Sequence, residues 1–140
     1  MSNTSAQKLS AIHNAAFETS RGWNAEEIAQ LLDSPHVYVT VRPDGFAMGR
    51  VVVDEAELLT IAVLPSAQGH GQGTALLLEF ERTAAERGAT RAFLEVATDN
   101  HAAIALYKNS GWAICGKRPN YYARDDGSSC DAILMEKHIT

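Results

Sequence analysis

The stretch from Leu58 to Thr74 constrains this chain more than any other. An apolar run, Leu58-Leu59-Thr60-Ile61-Ala62-Val63-Leu64, meets Pro65 and then a glycine-studded turn, Gln68-Gly69-His70-Gly71-Gln72-Gly73-Thr74, that opens onto a helical pattern. Gly69, Gly71 and Gly73 lack a Cβ, so the backbone can curl tightly and aim successive N–H groups at an anion, helped by the positive end of the helix that follows. A glycine turn alone also serves as nothing more than a tight corner. A second cassette sharpens it: Phe93-Leu94-Glu95-Val96-Ala97-Thr98-Asp99-Asn100 leads into a helix, His101 to Ser110, that carries Tyr107 and closes on Gly111-Trp112.

The rest of the chain falls into elements around these two cassettes. Leu9, Ile12, His13, Ala16 and Phe17 share one helical stripe, which predicts a helix from about Ser5 to Thr19. Asn24 and Glu27 have capping-box spacing, Ile28, Leu31 and Leu32 supply the buried side of a short second helix, and Pro35 stops it. His36 to Arg42 and Phe46 to Val53 are β-branched or aromatic runs around Pro43-Asp44-Gly45, the pattern of a hairpin. Glu57 to Leu64 reads as a third strand. A helix from Gly71 or Gln72 to Arg87 follows, with Leu76, Phe80 and Ala84 on one side and Gly88 just past its end. Arg91 to Val96 then returns as a strand, which a right-handed crossover lays parallel to the third. Asp99 or Asn100 caps the next helix. Two last strands, Trp112 to Lys117 and Cys130 to Lys137, are joined by a loop holding Pro119, Asn120, Tyr121, Tyr122 and the turn Asp125-Asp126-Gly127. The expected fold is an α+β domain spanning residues 1–140: a mixed, mostly antiparallel sheet with a parallel central strand pair, flanked by helices.

Composition narrows the function classes. The chain has 140 residues, 46% apolar and 21% charged, which suits one ordinary globular core and excludes a disordered or collagen-like chain. Its longest apolar stretches, such as Ile61 to Leu64 and Ala75 to Leu78, fall far short of the ~20 residues a membrane-spanning helix needs. Met1 to Lys8 has neither a basic start followed by an apolar stretch nor a small-residue cleavage signal, so a cytoplasmic location is expected. A net charge of -5 argues against a nucleic-acid surface, which needs clustered Lys and Arg, and suits a cationic acceptor. Cys115 and Cys130 lack CxxC spacing and read as reduced, small apolar fillers; no metal site is expected.

Gln68-x-x-Gly71-x-Gly73 between a strand and a helix resembles the acetyl-coenzyme A signature of the GNAT superfamily of N-acetyltransferases. Within it, Leu94-Glu95-Val96, Asn100, Ala102 to Tyr107, Gly111-Trp112, Arg118-Pro119-Asn120-Tyr121-Tyr122 and Asp131 to Met135 resemble the bacterial ribosomal-protein-alanine N-acetyltransferases (the RimI-like group). The similarity runs from about Ala47 to the end. It implies that the N–H groups around Gln68, Gly69, His70, Gly71, Gln72, Gly73 and Thr74 hold the pyrophosphate of acetyl-coenzyme A. It also implies that the backbone of Ile61, Ala62 and Val63 pairs with the pantetheine arm and polarises the thioester carbonyl, and that Asn100 contacts the cofactor as well as capping its helix. The chain departs from the pattern in two ways. Relatives often carry basic residues where Gly69 and Thr74 stand, so phosphate binding here rests on backbone N–H groups and His70. The chain also opens directly on a helix, which leaves one edge of the sheet undefined.

Two side chains carry the expected chemistry. Glu95 interrupts an apolar strand, and period-two alternation puts it on the face opposite Leu94 and Val96. A carboxylate on a solvated face is the structural alternative. On a central strand covered on both sides, however, it costs energy unless employed, which makes Glu95 a general base, as the matching Glu is in the RimI-like group. By the resemblance Tyr107 delivers a proton, or a hydrogen bond, to the departing thiolate and contacts the cofactor; the alternative is a core aromatic. An ordinary phenol is a weaker acid than the thiol it would protonate, uphill by roughly 2 kcal/mol, so a hydrogen bond suffices. Trp23, Asn120, Tyr121 and Tyr122, with Glu95, are expected to line the acceptor cleft. The reading is then an acetyl-coenzyme A-dependent N-acetyltransferase, acting as a monomer or weak dimer, whose acceptor is a protein N-terminal α-amine such as alanine of a small-subunit ribosomal protein. The same machinery acting on lysine side chains or small amines, and a non-catalytic acetyl-coenzyme A sensor, remain open on these residues.

Overall fold

The computed structural model describes residues 3–16, 24–69, 71–123 and 129–139, with side chains described for 6–13, 24–69, 71–119 and 130–139. Its elements are α1 (Asn3–Ala16), α2 (Ala25–Leu32), β1 (Val37–Arg42), β2 (Gly45–Val52), β3 (Glu55–Val63), a 3-10 turn (Pro65–Ala67), α3 (Gln72–Glu86), β4 (Arg91–Ala97), α4 (His101–Asn109), β5 (Ala113–Ala123) and β6 (Ser129–His138). The strands form one six-stranded sheet in the order β1-β2-β3-β4-β6-β5. Every neighbouring pair is antiparallel except β3 and β4, so the expected mixed sheet with a parallel central pair is what forms.

Local chemistry sets the element ends. At α2 the Asn24 side chain accepts from the Glu27 backbone N–H at 2.8 Å, and the Asn24 N–H donates to Glu27 Oε1 at 3.2 Å. This reciprocal cap satisfies two donors that the first helical turn would otherwise leave orphaned. Between β1 and β2 the pair Arg42↔Gly45 brackets Pro43-Asp44, where proline presets the turn dihedral. The Leu64 N–H donates to the Asp44 carbonyl at 2.8 Å, fastening that turn to the end of β3. The β1 strand lies at one edge of the sheet and β5 at the other.

Two helical layers cover the sheet. On one face α3 and α4 bury Leu76, Leu77, Phe80 and Tyr107 against Leu58, Leu94, Val96, Trp112 and Met135. On the other, α1 and α2 bury Leu9, Ile12 and Ile28 against Phe46, Met48 and Ala62. Phe46 and Met48 alternate with Ala47, which belongs to the α3 side, so β2 is covered on both faces. Each fully buried large apolar side chain contributes about 1.5–3 kcal/mol.

His13 sits in the second layer, 6% exposed, its ring centroid 6.5 Å from that of Phe46. Burial pulls its pKa from 6.5 down to about 4, opposed in part by the Glu27 carboxylate. A base that protonates less readily folded than unfolded stabilises the fold above pH 6.5 and withdraws that stability as pH falls from there toward about 4. The withdrawal amounts to roughly 3 kcal/mol over that window. Urea unfolding of the wild type and of His13→Leu between pH 7 and pH 4 is expected to show the wild type losing more stability by about that amount; parallel curves would refute it.

Several expected boundaries shift. The last-but-one strand does not stop at Lys117 but runs to Ala123, taking Pro119 to Tyr122 out of the expected loop and into β5. An edge strand tolerates a proline because one side of its backbone needs no partner. The register jumps from Arg118↔Ala132 to Tyr122↔Cys130, so the proline segment bulges. β3 ends at Val63 rather than Leu64, and α1 begins at Asn3, its expected continuation to Thr19 lying outside the described residues. Nor are the cysteines both fillers: Cys115 is exposed at the Ile114/Gly116 bulge, and the Cys130 thiol lies 3.1 Å from Thr98 Oγ1.

Candidate active site

The parallel pair β3 and β4 holds together for only three residue pairs, Glu55↔Arg91, Ala56↔Ala92 and Glu57↔Phe93. Beyond them β3 stays with β2 as far as Gly45↔Val63, and β4 stays with β6 as far as Ala97↔Ala132. The sheet therefore parts down its middle. The cause is local: β3 pairs through Met48↔Thr60 and Gly49↔Leu58, leaving Leu59 as an extra residue. Such a bulge bends and over-twists its strand, turning the second half of β3 away from β4. Among the described residues, the facing edges of Leu58–Val63 and Leu94–Ala97 carry no strand partner, and an unpaired edge is a template for an extended ligand. Ile61, Ala62 and Val63 lie on it.

The glycine turn stands at the end of this gap. Gly69 and Gly71 have φ of +83° and +81°, left-handed values that favour glycine, and a Cβ on either would meet nothing within 4 Å. Gly73 is different: it is helical, and its Cβ would lie 3.2 Å from a Leu106 methyl. Its glycine permits α4 to approach α3 and does not curl the turn, which corrects the expectation of one role for all three. Gly71 caps α3 with no side-chain hydrogen bond, so the first helical N–H groups, those of Gln72, Gly73 and Thr74, point outward from an uncapped positive end. The Gln68 amide donates to the Val63 carbonyl at 2.9 Å, tying the turn to the strand. His70 lies outside the described residues.

Glu95 and Tyr107 occupy opposite faces of the sheet. Tyr107 is 5% exposed in the layer of Leu94, Val96 and Trp112, and Glu95 alternates away from Leu94 and Val96. Two groups so separated can act on one bond only where the sheet has a gap between them, and β4 is one lip of that gap. The Glu95 side chain is 17% exposed and its Oε1 lies 3.3 Å from Arg118 Nη2. An arginine from β5 thus stands over Glu95, where the covered-strand argument expected a helix; α1 and α2 pack mainly on β1 to β3. No local pattern announces that contact, because Glu95 and Arg118 meet across β6 through Glu95↔Leu134 and Arg118↔Ala132.

Tyr107 is held from behind. Its carbonyl accepts from the Trp112 N–H at 3.0 Å, and the two rings lie 6.1 Å apart. The Trp112 indole donates to Glu81 Oε2 at 3.3 Å, while Lys137 Nζ donates to Glu81 Oε1 at 2.7 Å and to the Ser110 carbonyl at 2.8 Å. This cluster fixes the end of α4 to α3 and β6. Asn100 Oδ1 accepts from the Ala103 N–H at 3.2 Å, the cap expected of it. Trp23 lies outside the described residues, as do the side chains of Asn120, Tyr121 and Tyr122; the backbone of these three runs through the β5 bulge.

Comparisons with known proteins find a matching family profile, relatives and solved structures. The acetyltransferase (GNAT) family profile matches residues 6–112. The ribosomal protein bS18-alanine N-acetyltransferase of Escherichia coli (strain K12) is 46% identical over 95 residues, covering 68% of this chain and 64% of the relative. The match thus spans less than two thirds of that relative's length. The crystal structure of the ribosomal-protein-S18-alanine N-acetyltransferase from Escherichia coli superposes with a TM-score of 0.87 at 33% identity, covering 100% of this chain and 91% of that one. The structure of Ard1 from Thermoplasma volcanium gives 0.84 at 27% identity, covering 100% and 95%.

Proposed function

We propose, because this chain belongs to the acetyltransferase (GNAT) family, that it transfers an acetyl group from acetyl-coenzyme A directly to the α-amine of a protein N-terminus, an alanine of a small-subunit ribosomal protein, in the cytoplasm. The observation that carries the reading is the parting of β3 from β4 with a carboxylate on one face and a phenol on the other. The family's donor is a long, thin thioester, and a gap in a sheet is the one place where it can reach both faces. The acceptor follows from the relative at 46% identity, whose name specifies bS18 alanine.

In this reading the N–H groups of Gly71 to Thr74 hold the diphosphate, and the open edge of Ile61 to Val63 pairs with the pantetheine arm as an added strand. A β3 N–H polarises the thioester carbonyl. Glu95 takes one proton from the acceptor ammonium, the amine nitrogen bonds to the acetyl carbon, the carbon–sulfur bond breaks, and the second proton that the nitrogen loses passes to the departing thiolate, which Tyr107 hydrogen-bonds. No covalent enzyme intermediate is needed. An α-amine asks little of the base, since roughly a quarter of it is already neutral near pH 7.4, against ~0.1% of a lysine amine.

The test is to offer the purified protein acetyl-coenzyme A with alanine-starting peptides, the same peptides blocked at the N-terminus but bearing lysine, polyamines and aminoglycosides, and to read products by mass spectrometry. Acetylation of the free α-amine alone is expected. Turnover of only the small amines would sink the assignment.

A further inference from the structure

Apart from His70, the glycine turn carries no ionisable side chain. Gly69, Gln72 and Thr74 are uncharged, and the chain carries a net charge of -5, which repels a multiply charged anion. A guanidinium reaches the turn from elsewhere in the fold. Arg42, the last residue of β1, donates from Nε to Gln72 Oε1 at 2.8 Å. Gln72 is the first residue of α3, directly after the cap Gly71. Arg42 Nη1 donates to Glu79 Oε1 at 2.6 Å, seven residues on and so on the same side of the helix. The Arg42 side chain is 37% exposed and Glu79 31%, and Nη2 makes no hydrogen bond among the described residues. A guanidinium has five N–H donors in a planar fork, so it can accept an anion on Nη2 without giving up either existing bond.

We propose that Arg42 binds the diphosphate of the donor in this protein, supplying the permanent positive charge that the turn itself lacks. Gln72 orients the guanidinium toward the start of α3. Glu79 offsets part of its charge and so weakens its hold on the diphosphate. This rests on the acetyl-coenzyme A reading above and adds to it a residue from a distant strand, invisible in the glycine motif.

The competing explanation is that Arg42 merely staples α3 to β1, and variants of the two partners separate the ideas. Coenzyme A and 3′-dephospho-coenzyme A are titrated calorimetrically into the full chain as wild type, Arg42→Gln, Arg42→Lys and Glu79→Gln, at low and physiological ionic strength, with thermal unfolding of each variant confirming that it is folded. A diphosphate role predicts that Arg42→Gln weakens both ligands about ten-fold, the worth of one charge-assisted hydrogen bond. Arg42→Lys loses less, and the loss shrinks as salt rises. Glu79→Gln is the decisive arm: freeing the guanidinium should tighten both ligands by a factor of about three. If both substitutions weaken binding, or neither changes it, Arg42 is a staple and the proposal falls. A loss confined to coenzyme A would assign Arg42 to the 3′-phosphate and overturn the diphosphate assignment. Wild-type protein that binds neither ligand would overturn the functional reading itself, a different outcome from normal wild-type binding with Arg42→Gln unaffected.

Discussion

Glu95→Gln is expected to lower acetyl transfer at least ~100-fold while leaving the affinity for acetyl-coenzyme A unchanged. The amide keeps the size of the carboxylate but cannot take a proton, and it gives up the 3.3 Å ion pair with Arg118. Cofactor affinity is spared because the proposed diphosphate and pantetheine contacts come from β3, the glycine turn and Arg42. The loss should diminish as pH rises toward 9, where the acceptor α-amine is largely neutral and needs no base. Steady-state rates against pH, with separate calorimetry for the cofactor, check this. Equal rates for the two proteins would return Glu95 to a structural role on the sheet. Tyr107→Phe supplies the companion test from the opposite face, with a similar loss expected in rate and none in cofactor affinity.

The largest stability loss is expected at Glu81, which is linked to Tyr107 through Trp112. Its residue is 9% exposed, and one carboxylate serves both the Lys137 ammonium at 2.7 Å and the Trp112 indole at 3.3 Å. Glu81→Ala strands a charge and an indole N–H in a nearly dry place. Breaking a buried pair from one side costs about 3–5 kcal/mol, and the lower end applies because the Lys137 side chain keeps 24% exposure. Urea or thermal unfolding should show a loss of about 3 kcal/mol, on the order of 10 °C in Tm. The double change Glu81→Leu with Lys137→Met removes both charges together and should recover most of it, since apolar replacement of a buried pair is often neutral or better. Failure of the double variant to recover would mean that the cluster acts through its hydrogen bonds to Ser110 and Trp112 more than through charge. Because Trp112 also packs on Tyr107, the single variant should slow transfer in proportion to how far α4 loosens.

Much of the fold is legible in the sequence because it is local. The strand and glycine turn before α3, the Asn24–Glu27 cap, the stripe of Leu76, Phe80 and Ala84, and the placement of Glu95 away from Leu94 all follow from spacing along one segment. The resemblance adds what the glycine turn and the second cassette jointly imply about a thioester donor. The features that escape a linear reading are those whose cause lies across the sheet. Pro119 suggests a loop, yet an edge strand accommodates it; Gly73 suggests a turn, yet it makes room for Leu106.

Residue order alone thus determined the elements, the face each presents, and the parallel pairing at the centre, because hydrophobic period and turn chemistry act over a few residues at a time. Only the folded sheet decided where β3 lets go of β4, that Arg118 stands over Glu95, and that Arg42 reaches Gln72. A one-residue bulge at Leu59 has no signature in composition, since its effect is a twist that appears only when two neighbours compete for the same strand. Charges brought together by register are equally silent in one dimension, because the chain separates in sequence what the sheet sets side by side.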